Sequence, residues 1–138
     1  MKKSKLISLG LLLLTIVLSV FAVKQFNNTK DFIKYGNRTE ATVIEMIEVY
    51  DDNSTMYTPV FEYTDELGNE ITYRSSVSSN PPEYNVGDKE NVIFMPNTDD
   101  VRVDTIWGLY GFSIMLSISA IISLILGIKI YVNPKDLI

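Results

Sequence analysis

The chain has 138 residues, with 12 Lys/Arg against 17 Asp/Glu, and it contains neither cysteine nor histidine. That composition excludes a disulfide framework, a thiolate nucleophile, cysteine-based metal sites and the commonest general base and metal ligand. Few enzymes work without both residue types, so the expected function is non-catalytic.

Lys2, Lys3 and Lys5 lead into Leu6 to Val23, LISLGLLLLTIVLSVFAV, which carries no charge. At 1.5 Å per residue this run spans about 27 Å, close to the hydrocarbon thickness of a bilayer. A cleaved signal peptide is the rival reading, with Val20-Phe21-Ala22 as its small-residue cleavage signal. The apolar run exceeds the roughly 7–15 residues of a signal core, which favours an uncleaved transmembrane helix over 6–23 after a cytoplasmic N-terminus, 1–5. Gln25 to Tyr35 reads as a short juxtamembrane helix inside a linker, 24–35, stopped by Gly36 and Asn37.

From Arg38 the period changes to two, and Thr39, Ala41, Val43, Glu45, Ile47 and Val49 alternate with their neighbours. This predicts a strand of about ten residues. Asp51-Asp52-Asn53-Ser54 is a polar turn, and Met56 to Tyr63 a second, antiparallel strand. Pro59 lacks the N–H a ladder needs, which points to an edge or a bulge. A Gly68 hairpin leads to a third strand, Glu70 to Val77. Ser78-Ser79-Asn80-Pro81-Pro82 interrupts it, the Asn85–Asp88 turn opens a fourth strand, Glu90 to Met95, and Val101 to Asp104 forms a short fifth. Residues 36–105 therefore read as a small antiparallel β domain of four to five strands, barrel- or meander-like, with an OB-like or SH3-like appearance.

Ile106 to Ile128 is a second uncharged run, with Trp107 and Tyr110 at its start and Tyr131 just past its end, as at membrane interfaces. Gly111, Ser113, Ser117 and Ala120 could let another helix approach closely, but such small residues are simply common in membrane helices, and that is the favoured reading. Lys129 and Lys135 follow in the tail, 129–138, whereas residues 24–105 hold seven Lys/Arg against sixteen Asp/Glu, a net of −9. The positive-inside rule then puts both termini in the cytoplasm and the β domain outside. The fold class expected is a membrane protein with two transmembrane helices flanking a small antiparallel β domain.

Tyr57-Thr58-Pro59-Val60-Phe61-Glu62-Tyr63, then Leu67-Gly68-Asn69, Ser75-Ser76, Pro82, Tyr84, Gly87-Asp88 and Phe94-Met95-Pro96-Asn97 together resemble the bacterial DUF3592 family. The resemblance covers most of residues 36–104 and implies a β domain with transmembrane helices at its sides. Two features depart from the family pattern: Phe94-Met95-Pro96 stands where Tyr-Asp-Pro is usual, and no second proline follows Asn97. The family is one of unknown function, so the resemblance implies an architecture and no reaction.

No phosphate loop or nucleophile elbow occurs. Ser75, Ser76, Ser78 and Ser79 lie near Lys89 in sequence, but nothing in the sequence desolvates that lysine. Asp51-Asp52, Asp65-Glu66 and Asp99-Asp100 could supply oxygen ligands, yet no Asp-x-Asp-x-Asp-Gly spacing is present, so no metal or other cofactor is expected. The acidic middle repels nucleic acid. The expected partners are the lipid bilayer and a protein, basic by charge complementarity. The leading reading is a membrane-anchored extracytoplasmic binding module of the cell envelope. The alternatives are an immunity-type protein neutralising a basic toxin and an accessory subunit of a larger membrane complex. The candidate interaction surface is the strand edge over Tyr57–Tyr63 with Tyr57, Tyr63, Tyr73 and Tyr84, and core packing is the competing role for each tyrosine.

Overall fold

The structure is a computed structural model that describes residues 2–133. Met1 and residues 134–138, including Lys135 of the expected tail, lie outside the described residues. The elements run α1 (Lys2–Tyr35), β1 (Asn37–Asp51), β2 (Ser54–Thr64), β3 (Glu70–Arg74), β4 (Lys89–Phe94), β5 (Val101–Val103) and α2 (Ile106–Val132). The chain divides into two compact units, the helix pair and the residues from Ile33 to Thr105.

In the helix pair, α1 has no break at residue 24. Its 34 residues form one helix of about 51 Å. Lys2 to Lys5 and the expected linker 24–35 are both helical, because the linker holds no proline or glycine before Gly36 to stop the hydrogen-bond ladder. Both helices are long and apolar enough to cross a membrane.

The two helices meet along a heptad seam. Ser4, Ser8, Leu11, Thr15, Leu18, Ala22, Gln25 and Thr29 are the buried or half-buried stripe of α1, and Leu109, Ser113, Leu116, Ala120, Ser123, Gly127 and Ile130 that of α2. The spacing alternates four and three on each helix, which keeps one face toward a partner as in a coiled coil. The pairing is antiparallel. Ser8 Oγ donates to the Gly127 carbonyl (2.7 Å), Ser123 Oγ to that of Leu11 (2.9 Å), and Thr29 Oγ1 to that of Leu109 (3.3 Å). Phe26 and Tyr110 stack tilted at 5.3 Å. A Cβ on Gly127 would stand 3.3 Å from Leu12 Cδ2, so glycine here permits the close approach. Ser113 and Ala120 sit in the seam, so for these two the close-approach reading, and not the favoured one of mere abundance in membrane helices, holds. Ser117 is exposed and turns back to the Ser113 carbonyl, and Gly111 meets only Trp107 of its own helix.

The second unit is one open antiparallel sheet of order β3-β2-β1-β4-β5. β1 sits at the centre because its 15 residues serve two neighbours. Asn37–Thr42 pair with β4 and Thr42–Asp51 with β2. Two expectations are corrected here. A meander would run in sequence order, and this sheet does not. Nor is it a closed barrel: β3 and β5, five and three residues long, are its two edges and do not pair with each other.

A bulge at Ile44 resets the alternation of β1. Ala41 and Val43 point into the core, and the extra residue lets Glu45 face outward, opposite Val60, while Met46 turns inward. A strict two-residue period would have aimed Glu45 at the core. The core lies on one face: Ala41, Val43, Phe61, Tyr63, Val92, Phe94 and Val101, with Met46, Ile71, Tyr73, Tyr84 and Val103 packed on it. Phe61 is fully buried, with Tyr84 edge-on at 5.4 Å and Tyr73 stacked at 6.3 Å. Ile93 is also fully buried although it alternates with Val92 and Phe94 and so lies on the opposite face.

The edge expected over Tyr57–Tyr63 is absent, because β2 is an interior strand. β3 pairs with Val60–Thr64. Below it, Ser75 N donates to the Pro59 carbonyl (3.0 Å), and Tyr57 and Ser79 exchange two backbone hydrogen bonds (2.9 and 3.0 Å). Pro59 sits just beyond the end of β3, where its missing N–H is not called on by that strand. The segment 75–88 that covers this edge also delivers Tyr84 to Phe61. It closes on β1 through Val43, whose N–H donates to the Asp88 carbonyl and whose carbonyl accepts from Gly87 N–H, both at 2.8 Å.

Candidate functional site

Because β3 and β5 do not meet, the core face stays open between them. The opening is a cleft of about 710 Å³ bounded by the β2–β3 hairpin, β3, the β4–β5 turn and β5. Its apolar lining comes from Tyr63, Ile71, Tyr73, Phe94, Met95 and Val101, and its polar lining includes Asp65, Glu66, Arg74 and Asp99. The Tyr63 and Phe94 rings pack at 5.0 Å, tilted by 30°, and form an aromatic floor. They come from β2 and β4, the strands on either side of β1.

Both rims are built by local hydrogen bonding. In the hairpin, Asp65 Oδ1 accepts from the N–H groups of Leu67 (2.9 Å) and Asn69 (2.8 Å), and Oδ2 accepts from Asn69 Nδ2 (3.0 Å). These bonds to the ionised form, the Asn69 side chain foremost, hold the Asp65 carboxyl below its ordinary pKa. Gly68 takes a positive φ of 83° at the tip of this turn. On the other rim, Asn97 takes φ 62°, which asparagine tolerates, and Thr98 bonds back to the Met95 carbonyl. Burial is the main cause that raises the Tyr63 phenol above its usual pKa, and the charges of Asp65 and Asp99 add to it. The two acidic turns therefore converge on Tyr63.

The structure separates the four candidate tyrosines. Tyr63 is only 5% exposed and belongs to the core as well as to the cleft. Tyr73 is half-buried on β3 and also lines the cleft. Tyr84 packs on the other flank of Phe61, and burial pushes its hydroxyl up to about 12. Tyr57 is half-buried beside its bridge to Ser79, away from the cleft. They do not form one surface. Sequence reasoning missed Ile71, Phe94, Met95 and the pairing of Asp65 with Asp99. The signal was two acidic turns, each following a strand that ends in aromatic residues, but only the sheet order shows that they lie at one opening.

Lys89 pairs with Glu40 at 2.9 Å, and its side chain is 63% exposed, so it is not a desolvated base for the nearby serines. Ser78 instead hydrogen-bonds Thr58. Among the described residues, no group of three or more carboxylates is arranged to hold a metal ion. Comparison of the chain with protein-family models, curated proteins and solved structures finds no match.

Proposed function

We propose that this chain is a membrane-anchored binding module of the cell envelope, without catalytic activity, that captures a basic protein partner. In this reading α1 and α2 cross the bilayer. Outside the seam, residues 6–23 of α1 and 106–128 of α2 carry no charge and present a largely apolar surface, with Leu6, Leu13, Ile16 and Val20 on α1 and Ile118, Ile121 and Ile125 on α2 exposed. Water is a poor solvent for such a surface and a bilayer a good one. The antiparallel pairing puts Lys2, Lys3 and Lys5 at the same end as Lys129, and the acidic unit carries the opposite charge. That asymmetry supports cytoplasmic termini and an extracytoplasmic β unit. The similarity of residues 36–104 to the DUF3592 pattern agrees with this layout, and membership of that family is part of the proposal.

The observation that carries the binding role is the open cleft: an aromatic floor beneath an acidic rim, in a unit (residues 33–105) that holds five Lys/Arg against fifteen Asp/Glu, a net of −10. Such a field steers and retains cationic partners. A photo-crosslinking residue at Asn97, on the cleft rim, followed by mass spectrometry of the products from intact cells, tests the reading. Capture of one basic extracytoplasmic protein is the expected result, whereas capture of cytoplasmic proteins or of lipid alone would refute it.

A further inference from the structure

The carboxylates around the cleft differ in what already holds them. Asp65 is engaged by the amides of its own turn, Glu66 Oε1 accepts from Asn37 Nδ2 at 2.6 Å, and Asp100 is bound by Arg102 at 3.2 Å. Asp99 has no such partner among the described residues. Tyr63 lines the same cleft, and its hydroxyl makes no hydrogen bond among the described residues and is not a buried orphan, so it is open to solvent or to a ligand. One free carboxylate and one free phenol thus share an opening over the tilted Tyr63–Phe94 ring pair.

We infer that this cleft is a subsite for a single lysine or arginine side chain of a polypeptide partner, its alkyl stem on the Tyr63–Phe94 rings and its charge on Asp99 and the Tyr63 oxygen. The inference deepens the binding-module reading and rests on it. Each part of the ligand has a counterpart: the stem needs an apolar wall, the cation a free carboxylate, and its remaining N–H an acceptor. An anionic ligand would meet Asp65, Glu66 and Asp99 against Arg74 alone. Arg74 is the internal rival, since it lines the same cleft.

The test uses the full chain in lipid nanodiscs with ¹³C-methyl methionine. Met95 lines the cleft, and Met56, near the β1–β2 turn, is the reference. The probes are acetyl-Val-Lys-Val-amide and its arginine, norleucine and glutamate counterparts. The lysine and arginine peptides should shift the Met95 methyl saturably and leave Met56 in place, with the norleucine peptide roughly tenfold weaker or worse. Asp99→Asn should abolish the preference for lysine over norleucine, Tyr63→Phe should reduce it, and Arg74→Gln should leave it intact or strengthen it. Equal binding of lysine and norleucine, survival of the preference in Asp99→Asn, or no movement of Met95 with any peptide would overturn the inference. If Asp99→Asn still captures the same basic protein in cells, the subsite is wrong and the binding-module reading stands. If cells yield no basic partner, that reading fails on its own.

Discussion

Ser8 donates its hydroxyl to the carbonyl of Gly127, 2.7 Å away and 119 positions along the chain, and this contact fixes the register of the helix pair. Gly127 has no side chain to hold the helices apart there, and Leu11 and Leu12 fill the space in front of it. Ser8→Ala should cost about 0.6 kcal/mol, the usual worth of one such bond between apolar helices. Gly127→Ala should lower the melting temperature modestly, because its Cβ would press on Leu12 Cδ2 at 3.3 Å and Leu11 Cβ at 3.4 Å, and Gly127→Phe should force the helices apart. Thermal unfolding in detergent reads all three, and a Phe variant that melts with the parent would show that the helices do not pack here.

The bulge gives a contrast between two deletions. Removing Ile44 leaves Val43 inward, Glu45 outward and Met46 inward, so every core residue keeps its face. Removing Thr42 puts Ala41 and Val43 next to each other, and one of them must turn out of the core. The Ile44 deletion should fold with a modest loss of melting temperature. The Thr42 deletion should lose protease resistance in residues 33–105. Equal tolerance of both would contradict the register.

How much of this was readable beforehand follows from the range of the interactions. Strands and turns were legible because Thr39 to Val49 and Tyr57 to Tyr63 carry local periodicity, and because Gly68 and Asp65 make a turn by themselves. Sheet order was not, since it depends on β1 being long enough to serve two neighbours. Pro59 misled for the same reason: an interior strand can hold a proline where its neighbour has already ended. The cleft needed that order as well, since Asp65 and Asp99 are 34 positions apart and meet only across Tyr63. The seam was half legible, because Ser113 and Ala120 stood out on α2 while Ser8, Thr15 and Ala22 of the α1 stripe were diluted among leucines.

Phe61 holds the core together, touching Tyr73 on one side and Tyr84 on the other. Phe61→Ala should cost about 3–5 kcal/mol, enough to unfold the β unit of so small a protein. Phe61→Leu should retain the fold at reduced stability. Near-ultraviolet circular dichroism reports the tyrosine environment, and an unchanged spectrum in Phe61→Ala would count against this packing.

The absence of native cysteine makes topology directly testable. A single cysteine in place of Leu67, which is 86% exposed at the hairpin tip, should react with a membrane-impermeant maleimide in intact cells. A cysteine at Lys3 or Lys129 should react only after permeabilisation. The reverse pattern would invert the orientation, and labelling of all three in intact cells would remove the helices from the membrane altogether.

Tyr84 makes alkaline stability a test of the β core. Burial raises its hydroxyl to about 12, against about 10 in an unfolded chain. The neutral phenol is therefore the form that the fold favours. Below pH 10 both states keep the proton and stability is at its full value. Between pH 10 and 12 the unfolded chain loses the proton first, so stability falls as pH rises. Tyr63, raised chiefly by burial, adds to the same decline. Tyr84→Phe cannot ionise and should flatten part of the fall while keeping the edge-on contact with Phe61. Denaturant unfolding at steps from pH 9 to 12 measures the slope. If the parent and Tyr84→Phe lose stability in parallel, Tyr84 is not buried against Phe61 as described.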